Sequence, residues 1–293
     1  MKRTMTTHGA LLGLILGGLA VLVGTEIFGA QEEAAATFAE GRTLLARADF
    51  DGALAAFATA AKADPQNQEY RSQYALVRRV INVRKAIERE KDNARWAVTA
   101  QALRSFYYDN GIYREALSLD RQRHVRIGGI ESATLLAETQ LELDMNAETA
   151  ALLGGFEPDD LPLRSRAFLG IALARMERLD EAEAIARTCA APEGINPGLC
   201  FDLARLHCLL GDRAAAAGML TRCFQSTLPS RLDDMKACAR NHADLRALAS
   251  SAEFVAVFST PSKISESSCS GGAGCGNCPS RGACSGGQEK SGS

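Results

Sequence analysis

The sequence is poor in aromatic residues and has no large excess of charge of either sign. Aromatic side chains make up 6% of the 293 residues, whereas hydrophobic residues make up 46%, and the formal net charge is −2. Alanine therefore supplies much of the apolar surface, as expected where helices pack closely. A near-neutral chain lacks the bulk positive charge that favours nucleic-acid binding, so we expect no nucleic-acid partner.

The motifs of the common enzyme classes are also missing. The sequence contains no G-x-S-x-G nucleophile elbow, no phosphate-binding glycine loop and no H-E-x-x-H zinc motif. Its carboxylates are scattered at the spacing of helix surfaces and form no convincing catalytic pair. We therefore predict that the protein is not an enzyme.

Cysteine is absent before Cys189, although the chain has nine cysteines. The last four have the spacing C-x5-C-x2-C-x5-C, and four such thiolates can enclose zinc or an iron–sulfur cluster: Cys269, Cys275, Cys278 and Cys284. This metal site is one prediction, and disulfides or thiol–disulfide exchange are the alternatives. Residues 263–293 are rich in Gly and Ser with few large apolar residues, so we expect a flexible tail.

The other five cysteines lie together in the last third of the chain: Cys189, Cys200, Cys208, Cys223 and Cys238. They fit two interpretations equally. They are small core residues, because free cysteine behaves as a buried hydrophobe. Alternatively, neighbouring helices pair Cys189 with Cys200, or Cys208 with Cys223, in an oxidising compartment.

Long apolar runs are limited to the start of the chain. Lys2 and Arg3 precede an uncharged apolar run at residues 9–25. This is the layout of a secretory signal peptide or of an uncleaved signal anchor, and we favour the anchor. The positive-inside rule then places the rest of the chain on the extracytoplasmic (periplasmic or secreted) side, tethered to the inner membrane by residues 9–25.

Residues 34–67 have the pattern of two short amphipathic helices followed by a proline. In the second helix, apolar residues recur at spacings of three and four, at Ala53, Leu54, Phe57, Ala60 and Ala61. Pro65 ends it, because proline has no N–H to donate and disfavours helix in the preceding residue. We expect the small residues Gly41 and Ala53 where the two helices cross, with Phe57 beside the crossing.

This unit resembles the tetratricopeptide repeat, a helix-turn-helix motif of about 34 residues. The same template fits again from Ala97, Glu131, Leu163 and Pro197. The resemblance implies an all-α fold, a right-handed α-solenoid whose neighbouring repeats bury each other's apolar faces. It also implies a scaffold for protein–protein interaction.

The repeats divide the chain into six segments: a signal peptide or anchor helix (1–30), a first repeat (31–67), a long basic helix or degenerate repeat (68–95), four repeats (96–230), capping helices (231–262) and the tail (263–293). Within the cap we expect two helices, at residues 235–239 and 245–258. The basic segment has two interpretations. It is a surface that binds an acidic partner or anionic lipid headgroups, or it is a solvated helix face whose charges are balanced by nearby carboxylates.

The first helices of tetratricopeptide repeats usually line an inner groove that binds an extended peptide or a helix. Carried over position by position, the groove residues of this chain are Arg42, Gln101, Tyr108, Asp109, Arg164, Arg175, Phe201 and Arg205. Arginine and aromatic side chains are good interface anchors. The resemblance therefore implies an unidentified protein or peptide partner. The Lys/Asn clamp for a C-terminal carboxylate is missing, since Phe38 and Arg42 occupy its places in the first repeat.

Overall fold

The computed structural model describes residues 31–189, 196–248 and 252–264. Within these ranges every regular element is a helix, which confirms the all-α prediction there. The helices are α1 (31–46), α2 (Phe50–Ala63), α3 (Gln68–Ile87), α4 (Asn93–Asp109), α5 (Tyr113–Ile127), α6 (Gly129–Glu142), α7 (Asn146–Leu153), α8 (Leu163–Arg175), α9 (Leu179–Thr188), α10 (Pro197–Leu209), α11 (Arg213–Gln225), α12 (Pro229–Asn241), a 3₁₀ helix (Ala243–Leu248) and α13 (Ala252–Phe258).

Two predicted features, the membrane segment at residues 9–25 and the cysteine quartet of the tail, lie outside the described residues. None of the helices within the described ranges is both long enough and apolar enough to cross a bilayer.

The turns inside the helix pairs repeat one backbone geometry. Each contains a residue in the left-handed region, with φ between 56° and 80°: Ala48, Gly111, Asp144, Glu177 and Gly211. In most of them an N–H donates to a carbonyl oxygen five residues earlier, as from Asp49 to Leu44 and from Arg178 to Leu173, both at 3.0 Å. From Gly111 onward the turns recur every 33 or 34 residues, so the repeat is present in the backbone as well as in the side chains.

The chain forms two compact units, Met1–Asp144 and Met145–Ser293. In the described part of the first unit, alternate helices form two layers. Phe38 of α1 and Tyr70 of α3 have ring centroids 4.5 Å apart, and α3 is joined to α5 by an ion pair, so α1, α3 and α5 share a layer. Phe50 of α2 and Tyr107 of α4 have centroids 6.1 Å apart, and α4 is ion-paired to α6, so α2, α4 and α6 form the other layer.

The basic segment after the first repeat is one helix. The alternatives were a long helix or a degenerate pair, and α3 runs unbroken for 20 residues. Asn67 begins it, because its side chain accepts hydrogen bonds from the N–H groups of Glu69 and Tyr70. Since α3 has no partner helix of its own in this segment, the next first helix, α4, lies in the layer of α2 rather than in that of α1.

The first helix pair crosses as closely as its sequence predicts. A Cβ added to Gly41 would lie 2.7 Å from a ring carbon of Phe57, which is fully buried. Ala53 is also fully buried. The prediction of small residues at this crossing is confirmed.

Replacing Gly41 by alanine is expected to destabilise the protein by about 1–3 kcal/mol, because the buried Phe57 ring has little room to move. The matched control is Gly218→Ala in α11, where nothing lies within 4 Å of the new Cβ. That change should stabilise by about 0.5–1 kcal/mol through helix propensity. Urea unfolding measures both, and equal effects of the two substitutions would contradict the close crossing.

In the second unit the core is centred on α8, α10 and α11. Gly170 of α8 faces Leu206 of α10, and an added Cβ would lie 2.9 Å from the Leu206 methyl carbons. Leu203, Leu220 and Phe224 are fully buried. Since α8 and α10 lie side by side, these two helices place the predicted groove residues of this unit close to one another.

The C-terminal cap differs from its prediction in two segments. The first helix is longer than expected, Pro229–Asn241. From Leu245 to Leu248 the chain is 3₁₀ rather than α-helical. The physical reason is tertiary: Asp244 is bonded to arginines of α8 and α10, and these contacts fix the backbone where the local pattern favours an α-helix.

Candidate functional site

The predicted groove residues of the first unit fall in two places. Gln101, Tyr108 and Asp109 lie together on α4. Arg42 lies on α1, which belongs to the opposite layer. The structure therefore brings three of the four together, and the unpaired helix α3 is the reason that Arg42 is separate from them.

Tyr108 is half-buried and held from two sides. Its hydroxyl shares a 2.6 Å hydrogen bond with the Thr139 hydroxyl of α6. The Arg104 guanidinium lies over its ring, 4.2 Å from the centroid. Burial raises the pKa of Tyr108 well above its usual value, with a further contribution from Glu138, so the phenol stays neutral. It is a rigid aromatic surface and not a base.

Arg104 links three helices. Its Nε donates to both carboxylate oxygens of Asp120 in α5, at 2.9 and 3.0 Å. Its Nη2 donates to the Leu135 carbonyl oxygen at 3.1 Å and to Glu138 at 2.8 Å, both in α6. Burial alone lowers the pKa of Arg104, but Glu138, Tyr108 and Asp120 outweigh it and raise the pKa, so the guanidinium stays charged.

Arg104 and Asp120 were missed by the sequence analysis. The sequence did contain an indication of them, because each is a charged residue at a helix position where the apolar period predicts a buried side chain. Arg104 follows the buried positions Ala100 and Leu103, and Asp120 follows Leu119. Opposite charges at core positions of adjacent helices indicate a buried ion pair.

One side of α4 is open to solvent. Its exposed residues follow the helical period along one stripe, and we call this stripe the α4 face: Val98, Gln101, Ala102, Ser105 and Asp109. Val98 is 73% exposed. Gln101 also accepts a 2.6 Å hydrogen bond from Arg123. The α4 face is small, nearly neutral and backed by the Tyr108 network.

In the second unit the three predicted groove arginines converge on two carboxylates. Arg164 donates to Asp202 at 3.0 Å, and Arg205 donates to the same residue at 3.4 Å. Arg175 donates to both oxygens of Asp244 at 2.9 Å, and Arg205 donates to one of them at 2.9 Å. We call these five side chains the Asp244 cluster.

The second carboxylate comes from the chain's own cap. Asp244 belongs to the 3₁₀ helix, and His242 beside it packs edge-on against Phe201, with centroids 5.5 Å apart. Phe201 is 9% exposed and Arg205 is 3% exposed. The cap therefore covers Phe201 and Arg205, two of the positions predicted to line the groove.

Charge and burial set the ionisation of this cap. Burial, with help from Arg205, lowers the pKa of His242 to about 4, although Asp244 opposes the shift. Burial alone raises the pKa of Asp244, but hydrogen bonds and charges from Arg175 and Arg205 outweigh it and lower the pKa. Near neutral pH the cap thus presents a neutral imidazole and an ionised carboxylate.

Two of the solved structures that are similar to this chain are tetratricopeptide repeat proteins. No protein-family profile and no curated protein matches the chain. The crystal structure of TTC0263, a thermophilic TPR protein of Thermus thermophilus, is similar at 17% identity, covering 73% of this chain and 98% of that one, with a TM-score of 0.35. A tetratricopeptide repeat protein from Parabacteroides merdae ATCC 43184 is similar at 14% identity, covering 78% and 93%, with a TM-score of 0.38.

From Gly111 onward, helix pairs with the same left-handed turn recur every 33 or 34 residues, which matches the period of the predicted repeat. The chain folds as tetratricopeptide-like repeats. The turn at Ala48 has the same backbone geometry as the others, with a φ of 61°, although alanine stands where glycine would usually be expected.

Four cysteines within the tetratricopeptide-like array are buried free thiols: Cys189, Cys200, Cys208 and Cys223. Cys238 is exposed. Burial raises the pKa of Cys189, Cys200 and Cys208, and it raises that of Cys223 to about 12. These four are therefore uncharged core residues in this structure. Across the described ranges, no group of three or more His, Cys, Asp or Glu side chains could hold a metal ion.

Proposed function

We propose that the protein is a scaffold that binds a protein or peptide partner on the α4 face. The tetratricopeptide-like fold supports protein interaction in general, because its repeats expose extended helical surfaces. The scaffold acts by binding and not by catalysis. It is held on the extracytoplasmic side of the inner membrane by the apolar run at residues 9–25, whose sequence supports an anchor.

One observation carries the choice of surface: the α4 face is open, whereas Arg175 and Arg205 of the second unit are bonded to the chain's own Asp244. From Val98 to Asp109 the α4 face extends for about 16 Å at the rise of an α-helix. It has one carboxylate, Asp109, and exposed small side chains at Ala102 and Ser105. Such a surface suits a short helix or an extended segment, with Tyr108 as a fixed edge.

The test is site-specific photo-cross-linking of the full-length chain in cells. A photoreactive residue is placed at Ala102 or Ser105, and the control position is Ser118, which is exposed on α5 in the opposite layer. We expect one adduct of the same mass from both α4 positions and none from Ser118.

A second variant makes the result specific. Ser105→Arg places a large charged side chain on the α4 face and should abolish the adduct formed at Ala102. Ser118→Arg should leave that adduct unchanged. Adducts that form equally at all three positions, or that survive Ser105→Arg, would rule out the α4 face as the partner site.

A second candidate function rests on the tail. Its cysteine quartet, Cys269, Cys275, Cys278 and Cys284, has a spacing that could enclose zinc or an iron–sulfur cluster. On this proposal the array is a docking platform for metal handling or thiol–disulfide exchange. A metal and free-thiol count, made on the full-length chain and on one truncated after residue 262, separates the two functions.

A further inference from the structure

Positive charge is concentrated in one part of a chain that is slightly acidic overall. Residues 68–127 contain thirteen Lys and Arg against seven Asp and Glu, a net charge of +6, whereas the whole chain has −2. Such segregation creates a local positive potential that the net charge conceals.

On α3 these charges form a stripe along the solvent side. Arg71, Arg78 and Lys85 are exposed and seven residues apart, so they lie above one another at successive pairs of turns. Val77 and Val80 are buried on the opposite side of the helix. The three cations form no ion pair with any described residue, which leaves their charge available to a ligand.

The neighbouring helix in the same layer continues the positive surface. Arg114 and Arg121 of α5 are exposed and seven residues apart, and Val125 on the same stripe is 86% exposed. The ion pair between Arg84 and Glu115, 3.1 Å long, ties α3 to α5. We call the exposed side of these two helices the basic face: Arg71, Arg78, Arg79, Lys85, Arg114, Arg121 and Val125.

The two carboxylates in the crevice between α3 and α5 do not lie on the basic face. Glu115 lies in the crevice between α3 and α5, paired with Arg84, and Glu88 lines the same crevice. The basic face is a broad surface of arginine and lysine with an exposed valine among them. Cations with apolar side chains between them are typical of surfaces that lie on anionic membranes.

The position of the basic face relative to the apolar run favours a membrane over other polyanions. The described chain begins at residue 31, and the apolar run ends at residue 25, a distance of about 20 Å at full extension. The first described helix is α1. It shares the layer of the basic face, because Phe38 of α1 contacts Tyr70 of α3. A bilayer holding residues 9–25 would therefore lie within reach of this layer.

We propose that the basic face lies against anionic lipid headgroups of the membrane to which the chain is tethered. The surface is on the layer opposite to the α4 face, so this contact goes beyond the proposed protein interaction. This proposal depends on the proposed tether only to bring the membrane close to the basic face. Lipid phosphates would take the hydrogen bonds of Arg71, Arg78 and Lys85, and Val125 would enter the interface between headgroups and acyl chains.

The experiment measures binding of the full-length chain to vesicles of phosphatidylcholine alone and of phosphatidylcholine with phosphatidylglycerol. The ratio of the two partition coefficients isolates the electrostatic contribution, because an apolar anchor binds both vesicles. The test variant is Arg71→Gln, Arg78→Gln and Lys85→Gln together. Its matched control neutralises three exposed arginines of the second unit, Arg213, Arg231 and Arg246.

We expect the ratio to fall about 100-fold in the test variant, since each cation near an anionic surface contributes about five-fold. The control should keep the wild-type ratio, and both variants should retain the helical circular dichroism spectrum. A wild-type ratio near one, or equal ratios in the two variants, would overturn the proposal. So would a test variant that loses binding to an oligonucleotide or to polyglutamate while its vesicle ratio stays unchanged.

The tether is judged separately in the same experiment. Weak binding of the wild-type chain to phosphatidylcholine alone would count against an anchor at residues 9–25. The comparison between the test and control variants on anionic vesicles would still decide the basic face.

Discussion

Replacing Asp244 by alanine is expected to lower the free energy of unfolding by about 3–5 kcal/mol. The substitution leaves the guanidinium groups of Arg175 and Arg205 without the carboxylate that receives three of their hydrogen bonds. Removing one partner of a buried ion pair costs this much because the remaining charges stay away from water. The cap would also lose the contact that holds its 3₁₀ helix on α10.

The measurement is urea unfolding of the full-length chain, followed by far-ultraviolet circular dichroism. Asp234→Ala is the matched control, because Asp234 is exposed on α12 in the same cap. A surface change of this kind should stay within about 0.5 kcal/mol. If the two variants unfold at the same urea concentration, the ion pairs of Asp244 do not stabilise the second unit.

The Asp244 cluster and the adjacent His242 should make the stability of the second unit depend on pH. The folded state holds His242 neutral down to about pH 4, whereas the unfolded chain takes up its proton near 6.5. Stability should therefore fall as the pH drops from 6.5 to 4. Below that, Asp244 with its lowered pKa protonates and further stability is lost. His242→Asn should flatten the first part of this decline.

Replacing Arg104 by alanine should destabilise the first unit by a similar amount, about 3–5 kcal/mol. Asp120 has 1% of its surface exposed and would lose two hydrogen bonds and its counter-charge. The Tyr108 ring would lose the guanidinium that lies over it. We therefore expect faster amide hydrogen exchange in α4, α5 and α6 as well as a lower melting temperature.

A double substitution separates a buried charge from a simple loss of packing. Arg104→Ala combined with Asp120→Ala should be more stable than Arg104→Ala alone, because no uncompensated carboxylate remains. Arg95→Ala is the control, since Arg95 is exposed in the first turn of α4. A double variant less stable than Arg104→Ala would show that Asp120 stabilises the unit by another contact.

Local patterns in the sequence predict the helix pairs well. The close contact of Gly41 with Phe57 follows from spacing and residue size alone. The turn at Ala48 does not, because an alanine with positive φ contradicts its local preference and depends on the two helices it joins. The 3₁₀ helix at Leu245 is likewise not predictable from the local sequence, because arginines distant in the chain fix the position of Asp244.

The candidate site was predictable where a residue's surroundings are set by its own repeat, and less so elsewhere. Arg164, Arg175, Phe201 and Arg205 lie on the neighbouring helices α8 and α10, and the cap contacts the last three of them. A repeat template contains no information about a segment some 40 residues later in the chain that folds back. The position of Arg42 depended on whether residues 68–95 form one helix or two, a choice that periodicity left open.

The unpaired helix α3 changes which layer of the first unit holds the first helix of each pair. Before it, the first helix of the repeat lies in the layer of α1, α3 and α5. After it, the first helix α4 lies in the other layer. An uninterrupted array keeps its first helices on one side, whereas a shifted one presents them on both. A single added helix can thus give one small unit two unlike surfaces, a basic one and a nearly neutral one, facing away from each other.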